Sequence, residues 1–135
     1  MPFKKISKKG FMILKKEDNK CVFKVVFVRH GQSIWNKDGR CSGWIDVPLN
    51  DKGVEEAHDA GLLLKKLGYK FDLAYSSYLS RANKTGKIIL EELDQDELDI
   101  NRAWQLNERH YGILEGKFKK ELESQFGSEQ VKLWR

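Results

Sequence analysis

The residue whose neighbours best suit it to chemistry is a histidine between an arginine and a glycine, at positions 29–31. A neutral imidazole can attack phosphorus. Arg29 favours that neutral form by charge repulsion and can bind phosphate oxygens with its fork of N–H donors. Gly31 lets the backbone approach an anion closely. The motif indicates phosphoryl transfer through His30, although three-residue matches are common and a lone histidine is more often structural.

The elements around this motif predict an α/β protein. Residues 25–28, Val-Val-Phe-Val, are typical of a buried strand. Ligands of open α/β sheets bind beyond the carboxyl ends of strands, so we expect His30 there. Helical spacing of apolar residues, with a cap at Asn50 or Asp51, predicts a helix that ends at Gly68. We also predict strands over about 71–77 and 98–104, a helix over about 79–93, and a last helix with Phe118, Leu122 and Phe126 in the core.

Three positions outside the histidine motif could bind an anion. Arg81 lies near a predicted helix N-terminus, where side chain and helix dipole both favour negative charge; a surface salt bridge is the alternative. Ser42 and Gly43 could donate a hydroxyl and a backbone N–H, but a turn hydroxyl would show the same pattern.

Length and composition indicate one globular domain. The chain has 135 residues, 40% hydrophobic and 33% charged, and no apolar run of membrane length. The first 24 residues hold eight lysines against Glu17 and Asp18, a charge of +6, and the remaining residues carry −1, so the basic net charge of +5 comes from the N-terminal segment. We therefore expect a lysine-rich extension over residues 1–21 and a domain over residues 22–135, with no nucleic-acid partner. A solvated extension is favoured over a targeting or anionic-surface segment.

Cys21 and Cys41 form neither a CxxC motif nor a disulfide framework, which predicts free thiols in a reducing compartment, the cytoplasm by default. The acidic run over residues 91–99 has no spacing that would fix a hard cation. We expect no metal.

Longer blocks of the sequence carry a resemblance. RHGQSIWN, CSGWIDVPLNDKG, SSYLSRA, LNERHYGILEG and EQVKLWR occur in order from about residue 24 to residue 135. Together they closely resemble the cofactor-dependent phosphoglycerate mutases of the histidine phosphatase superfamily. The resemblance implies a three-layer α/β/α fold with a mostly parallel sheet, incomplete at the C-terminus. It also implies interconversion of 3- and 2-phosphoglycerate through a phosphohistidine primed by 2,3-bisphosphoglycerate, without a metal.

The resemblance assigns a role to each matching residue. His30 is the nucleophile, Glu108 the acid/base that exchanges a proton with the substrate hydroxyl, and Arg29 and Arg81 assist catalysis. An ion pair between Glu108 and Arg109 is the alternative for that carboxylate. The implied substrate-binding set is Arg29, Asn36, Ser42, Gly43, Arg81, Glu108, Arg109, His110, Tyr111, Lys119 and Arg135.

The sequence departs from the family in three ways. Gln32 replaces an acidic residue, the extension lies outside the pattern, and about half of the family's domain would follow Arg135. We therefore expect the 135-residue chain alone to fold poorly, or only with partner chains such as a homo-oligomer, and to be inactive. The alternatives to a mutase are a histidine-dependent phosphatase, in which water accepts the phosphoryl group, and an inactive truncated phosphate-binding module.

Overall fold

A computed structural model describes residues 24–134 and the backbone of residues 6–8 and 11–15. Arg135, Cys21 and most of the predicted extension lie outside the described residues. The strands are β1 (Ile6–Lys8), β2 (Phe11–Lys15), β3 (Lys24–Val28), β4 (Ala74–Ser76) and β5 (Ile100–Arg102). The helices are α1 (Ile34–Asp38), α2 (Asp51–Lys66), α3 (Ser80–Glu92), α4 (Lys119–Phe126) and α5 (Ser128–Trp134). Two short 3₁₀ turns cover Trp104–Leu106 and Gly112–Leu114.

The described strands form two sheets. β4 and β5 pair in parallel, with Ala74 opposite Ile100. β1, β2 and β3 form an antiparallel sheet in that order, with Met12 opposite Phe27. The predicted α/β class with a parallel sheet is confirmed. Strands within the lysine-rich extension were not predicted, although the apolar run at its centre has high strand propensity.

Helices α2 and α3 pack against each other beneath the site. Asn50 caps α2 by accepting a hydrogen bond from the Gly53 N–H at 2.9 Å, and its own amide donates to Gln32 at 2.8 Å. Gln32 thus joins the histidine loop to the start of α2. The predicted α2 and α3 are confirmed to within about two residues at each end.

The main core lies between these two helices and β3. Leu64, Ile89 and Leu93 are buried together, and Val26, Ala60, Tyr69 and Phe71 pack against them half-buried. A second cluster joins Cys41 to Leu122 and Val131 of the two C-terminal helices. Each fully buried leucine contributes about 1.5–3 kcal/mol of hydrophobic free energy.

Two burial predictions are wrong. In β3, predicted as a buried strand, Val25 and Phe27 are 46% and 52% exposed, because no other element of the described chain covers them. Phe126, predicted as core, is 44% exposed, because its ring packs edge-on against Trp134 of α5, which is itself 36% exposed, and not in the cluster around Leu122.

Candidate active site

His30 lies two residues beyond β3 and is half-buried. Each of its two ring nitrogens lies within hydrogen-bond distance of another residue. Its Nδ1 is 2.7 Å from the carbonyl oxygen of Gly31, and its Nε2 is 3.3 Å from Nε of Arg81. A carbonyl can only accept and an arginine N–H can only donate. The proton is therefore assigned to Nδ1, and Nε2 keeps the lone pair that a nucleophile needs.

The surroundings of His30 favour its neutral form. Burial lowers the pKa of His30 below the usual 6.5, and the positive charges of Arg81 and Arg29 lower it further. The hydrogen bond to Gly31 and the carboxylate of Glu108 act in the opposite direction but do not prevail. At neutral pH the imidazole is thus unprotonated at Nε2.

Arg81, the second residue of α3, lies at the centre of the site with 1% of its surface exposed. Besides His30, its guanidinium donates to the carbonyls of Ile45 at 3.1 Å and Gly43 at 2.9 Å. Nη2 also pairs with Oε2 of Glu108 at 2.9 Å. Buried charges require such partners. The guanidinium thereby contacts both the proposed nucleophile and the proposed acid/base.

Glu108 pairs with Arg81 across the site. The sequence left open an ion pair with Arg109; the 2.9 Å contact shown here is to Arg81. The Glu108 side chain is 39% exposed, so the carboxylate can reach solvent and substrate. Its backbone carbonyl accepts a hydrogen bond from the indole N–H of Trp44 at 2.7 Å.

Thr85 connects the histidine loop to α3 and was missed in the sequence. Its hydroxyl accepts from the Gly31 N–H at 3.1 Å and donates to the Arg81 carbonyl at 2.8 Å. The available signal was its spacing of four residues from Arg81, because residues four apart lie on the same helix face. Thr85 fixes the loop that carries His30 relative to Arg81.

Gly31 allows the backbone of the histidine loop to pack closely against the start of α2. A Cβ atom at Gly31 would overlap the backbone carbonyl of Gly53, and one at Gly53 would overlap the backbone of Gln32. The approach of Gly31 to an anion remains a prediction, and close packing of the backbone explains why position 31 requires a glycine.

Ser42 lies beside Gly43 and is 4% exposed, and its hydroxyl has no hydrogen-bond partner among the described residues. A buried hydroxyl in that state has unused hydrogen-bonding capacity. It could therefore bind a phosphate or carboxylate oxygen, and this contact with substrate remains a prediction.

Four further residues predicted for the site lie around it. Arg29 is exposed next to His30, and Arg109 is exposed next to Glu108. His110 contacts the Trp44 ring edge-on, with centroids 5.6 Å apart, and Tyr111 is half-buried. All four belong to the two loops that carry the proposed nucleophile and acid/base.

Two residues have structural contacts in place of contacts with the central cluster. Asn36 in α1 forms a reciprocal capping box with Ser33. Lys119 begins α4, and its backbone N–H donates to Gly39 at 2.9 Å. Their predicted substrate contacts remain predictions, and Arg135 lies outside the described residues.

No group of three or more metal-ligating side chains occurs within the described part of the chain. The same residues include no helix long and apolar enough to cross a membrane.

Comparison with known proteins defines the class. The family model of the histidine phosphatase superfamily (branch 1) matches residues 25–135, and the chain belongs to this superfamily. The 2,3-bisphosphoglycerate-dependent phosphoglycerate mutase of Borreliella burgdorferi (strain ZS7) is 54% identical over 114 residues, which are 84% of this chain and 46% of that protein. The protein of the same name from Parabacteroides distasonis is 52% identical over 111 residues, 82% and 45% of the two chains.

Solved structures agree on the fold. A phosphoglycerate mutase from Bacillus anthracis matches with a TM-score of 0.63 and 33% identity, over 76% of this chain and 51% of its own. A mycobacterial glucosyl-3-phosphoglycerate phosphatase matches with a TM-score of 0.67 and 27% identity, over 77% and 47%. The chain thus spans about half the length of the relatives it matches.

Proposed function

We propose that the full-length protein is a phosphoglycerate mutase that interconverts 3- and 2-phosphoglycerate through a phosphohistidine at His30. The observation that carries this proposal is the Nε2 lone pair of His30, which faces a guanidinium that also binds Glu108. The similarity to proteins named 2,3-bisphosphoglycerate-dependent phosphoglycerate mutase, at 52–54% identity, supports the substrate class. We place this activity in the cytoplasm.

The fit to a phosphorylated three-carbon acid rests on the donors around His30. The unpartnered hydroxyl of Ser42 and the guanidiniums of Arg29 and Arg81 suit phosphate and carboxylate oxygens. These residues would also hold 2,3-bisphosphoglycerate, which when bound supplies the phosphoryl group that primes His30. From the family resemblance we add Asn36, Gly43, Arg109, His110, Tyr111, Lys119 and Arg135 as substrate contacts.

The transfer step follows from the two groups on either side of Arg81. When the phosphoryl group moves from His30 to the hydroxyl of a monophosphoglycerate, the P–N bond breaks and a P–O bond forms. Glu108 accepts the hydroxyl proton, and the electron pair of the P–N bond returns to Nε2. The positive charge of Arg81 stabilises the negative charge spread over the transferring group, without reorganisation, because its position is already fixed by carbonyls.

A labelling experiment tests the proposal. Full-length native protein incubated with ³²P-labelled 2,3-bisphosphoglycerate should form an acid-labile adduct, and His30→Ala should form none. His58→Ala is the matched control, because His58 lies on α2 and contacts Glu92 at 2.7 Å. Label retained in His30→Ala would contradict the assignment of the nucleophile.

A phosphatase is the second candidate, because the same fold occurs in the mycobacterial phosphatase. Product analysis separates the two activities: a mutase turns 3-phosphoglycerate into 2-phosphoglycerate, whereas a phosphatase releases inorganic phosphate. The higher identity to the relatives named as mutases favours the first outcome.

A further inference from the structure

Glu115, a residue with no role in the proposed transfer step, joins the Ser42–Gly43 loop to the loop that carries Glu108. One carboxylate oxygen, Oε1, accepts hydrogen bonds from the backbone N–H of Trp44 at 2.9 Å and that of Tyr111 at 3.1 Å. The Glu115 side chain is only 11% exposed. A single buried oxygen therefore fixes the Ser42–Gly43 loop against the loop that begins at Glu108.

The peptide group between Gly43 and Trp44 is held by opposite charges at its two ends. Its carbonyl accepts from the Arg81 guanidinium at 2.9 Å, and its N–H donates to the Glu115 carboxylate at 2.9 Å. Each half of the peptide dipole thus faces the charge that attracts it, and hydrogen bonds to charged groups are the strong ones. A flipped peptide would place both halves against repelling charges.

Trp44 connects Glu115 to the backbone of Glu108. Its backbone is fixed by Glu115, and its indole N–H donates to the Glu108 carbonyl at 2.7 Å. The edge-on contact with His110 restricts the ring further. The backbone that carries the proposed acid/base is therefore positioned through Trp44.

Gly43 makes the contact with Glu115 sterically feasible. It has a φ of +54°, and a Cβ atom there would overlap Oε1 of Glu115. Burial raises the pKa of Glu115, but the hydrogen bonds from Trp44 and Tyr111 and the charge of His110 outweigh it, and the net pKa is lowered. Glu115 is ionised at neutral pH.

We propose that Glu115 is a positioning residue of the active site, which acts through Trp44 to hold Glu108 and the Gly43–Trp44 peptide in their working orientation. This inference rests on the proposed mutase function for its kinetic effect only; the geometry can be tested without it.

The kinetic test compares two variants of the full-length native protein in conversion of 3-phosphoglycerate. Glu115→Ala removes the acceptor, and we expect kcat to fall by about 10- to 100-fold with KM changed by less than about threefold, as for a catalytic group displaced by about 1 Å. Glu115→Gln keeps an oxygen that accepts both N–H groups and should restore most of kcat. Glu123→Ala, at an exposed carboxylate on α4, is the control.

A spectroscopic test is independent of turnover. The indole N–H resonance of Trp44, assigned with Trp44→Phe, should shift and exchange faster with solvent in Glu115→Ala but keep its position in Glu115→Gln. If the wild-type protein proves inactive, the proposed function fails while this resonance still decides the role of Glu115.

Three results would overturn the inference: an unchanged Trp44 resonance in Glu115→Ala, an unchanged kcat in folded Glu115→Ala, or a Glu115→Gln variant as impaired as Glu115→Ala. Should Glu115→Ala not fold, Trp44→Phe tests the second link, because it removes the indole donor and leaves the backbone N–H of residue 44 to bond Glu115. It should lower kcat similarly, and a wild-type kcat in Trp44→Phe would also overturn the inference.

Discussion

His30 takes its chemical state from neighbours on two parts of the chain, its own loop and helix α3. Gly31 holds the proton on Nδ1, Arg81 of α3 faces Nε2, and Thr85 ties the loop to the same helix. The histidine was predictable from its motif. Its tautomer and the Glu108–Arg81 pair were not, because they depend on which side chains meet across 27 to 51 positions of sequence.

The lowered pKa of His30 predicts a pH dependence. Because only the neutral imidazole can attack phosphorus, the rate of His30 phosphorylation should decline as pH falls, with an inflection below 6.5. Arg29→Gln removes one of the charges that lower this pKa and should move the inflection upward, whereas Lys37→Gln, at an exposed cation on α1, should not. Rapid-quench labelling from pH 4.5 to 8 measures it, and a wild-type inflection at or above 6.5 would contradict the prediction.

The lowered pKa of His30 also makes the stability of the fold depend on pH. Between the folded pKa and 6.5, the unfolded chain binds a proton at His30 that the folded chain does not. The contribution of His30 to stability is therefore fully present above pH 6.5 and is lost as pH falls through the folded pKa.

Helices α2 and α3 are in close contact at Gly61, because the glycine has no side chain to separate them. A Cβ atom there would lie 2.6 Å from Cβ of Glu92 and 3.2 Å from Cα of Ile89. These atoms belong to or adjoin the backbone of α3 and cannot easily move. Helix α3 carries Arg81 and Thr85, so a side chain at residue 61 would push against the helix that holds two residues of the site.

We predict that Gly61→Val destabilises the protein by about 1–3 kcal/mol, the usual cost of overpacking. Glu55→Val, at an exposed position of the same helix, introduces valine where no packed helix opposes it and should cost no more than about 0.5 kcal/mol. Urea unfolding of both full-length variants provides the comparison. Equal losses in the two variants would show that the helices tolerate a side chain at residue 61.

Local signals explain which elements were predictable. The Asn50 cap and the apolar spacing of α2 lie within the helix itself, so its bounds followed from sequence. The burial of β3 and of Phe126 depends on what packs over them, which no short pattern contains. Glu115 was missed for the same reason, since an isolated glutamate in a turn-rich segment looks like any solvated carboxylate.

At the scale of the whole chain, both sheets present apolar surface. Phe27 of β3 and Tyr75 of β4 are 52% and 64% exposed, and Leu73 before β4 is 65% exposed. In addition, one edge of β3 and one edge of β4 have no strand partner within the described residues. Open edges and exposed apolar groups both favour association with other chains.

We predict that the isolated 135-residue chain self-associates at micromolar concentration. Phe27→Lys should weaken that association, because a charge on an edge strand opposes pairing. Lys84→Ala, at an exposed position on α3, should have no effect. Sedimentation velocity over a concentration series measures it, and a monomer at every concentration would show that these surfaces do not self-associate.

The contact between Gly31 and Gly53 limits how this sequence can be recombined. Elsewhere a larger residue can be accommodated when its neighbour becomes smaller. Here a Cβ atom at residue 31 would meet the main chain of Gly53, and one at residue 53 would meet the main chain of Gln32. A side chain introduced at residue 31 or residue 53 therefore cannot be accommodated by a compensating replacement at the other position. A chimera that takes its histidine loop from one relative and its α2 from another must keep glycine at both positions, whatever else the parents contribute.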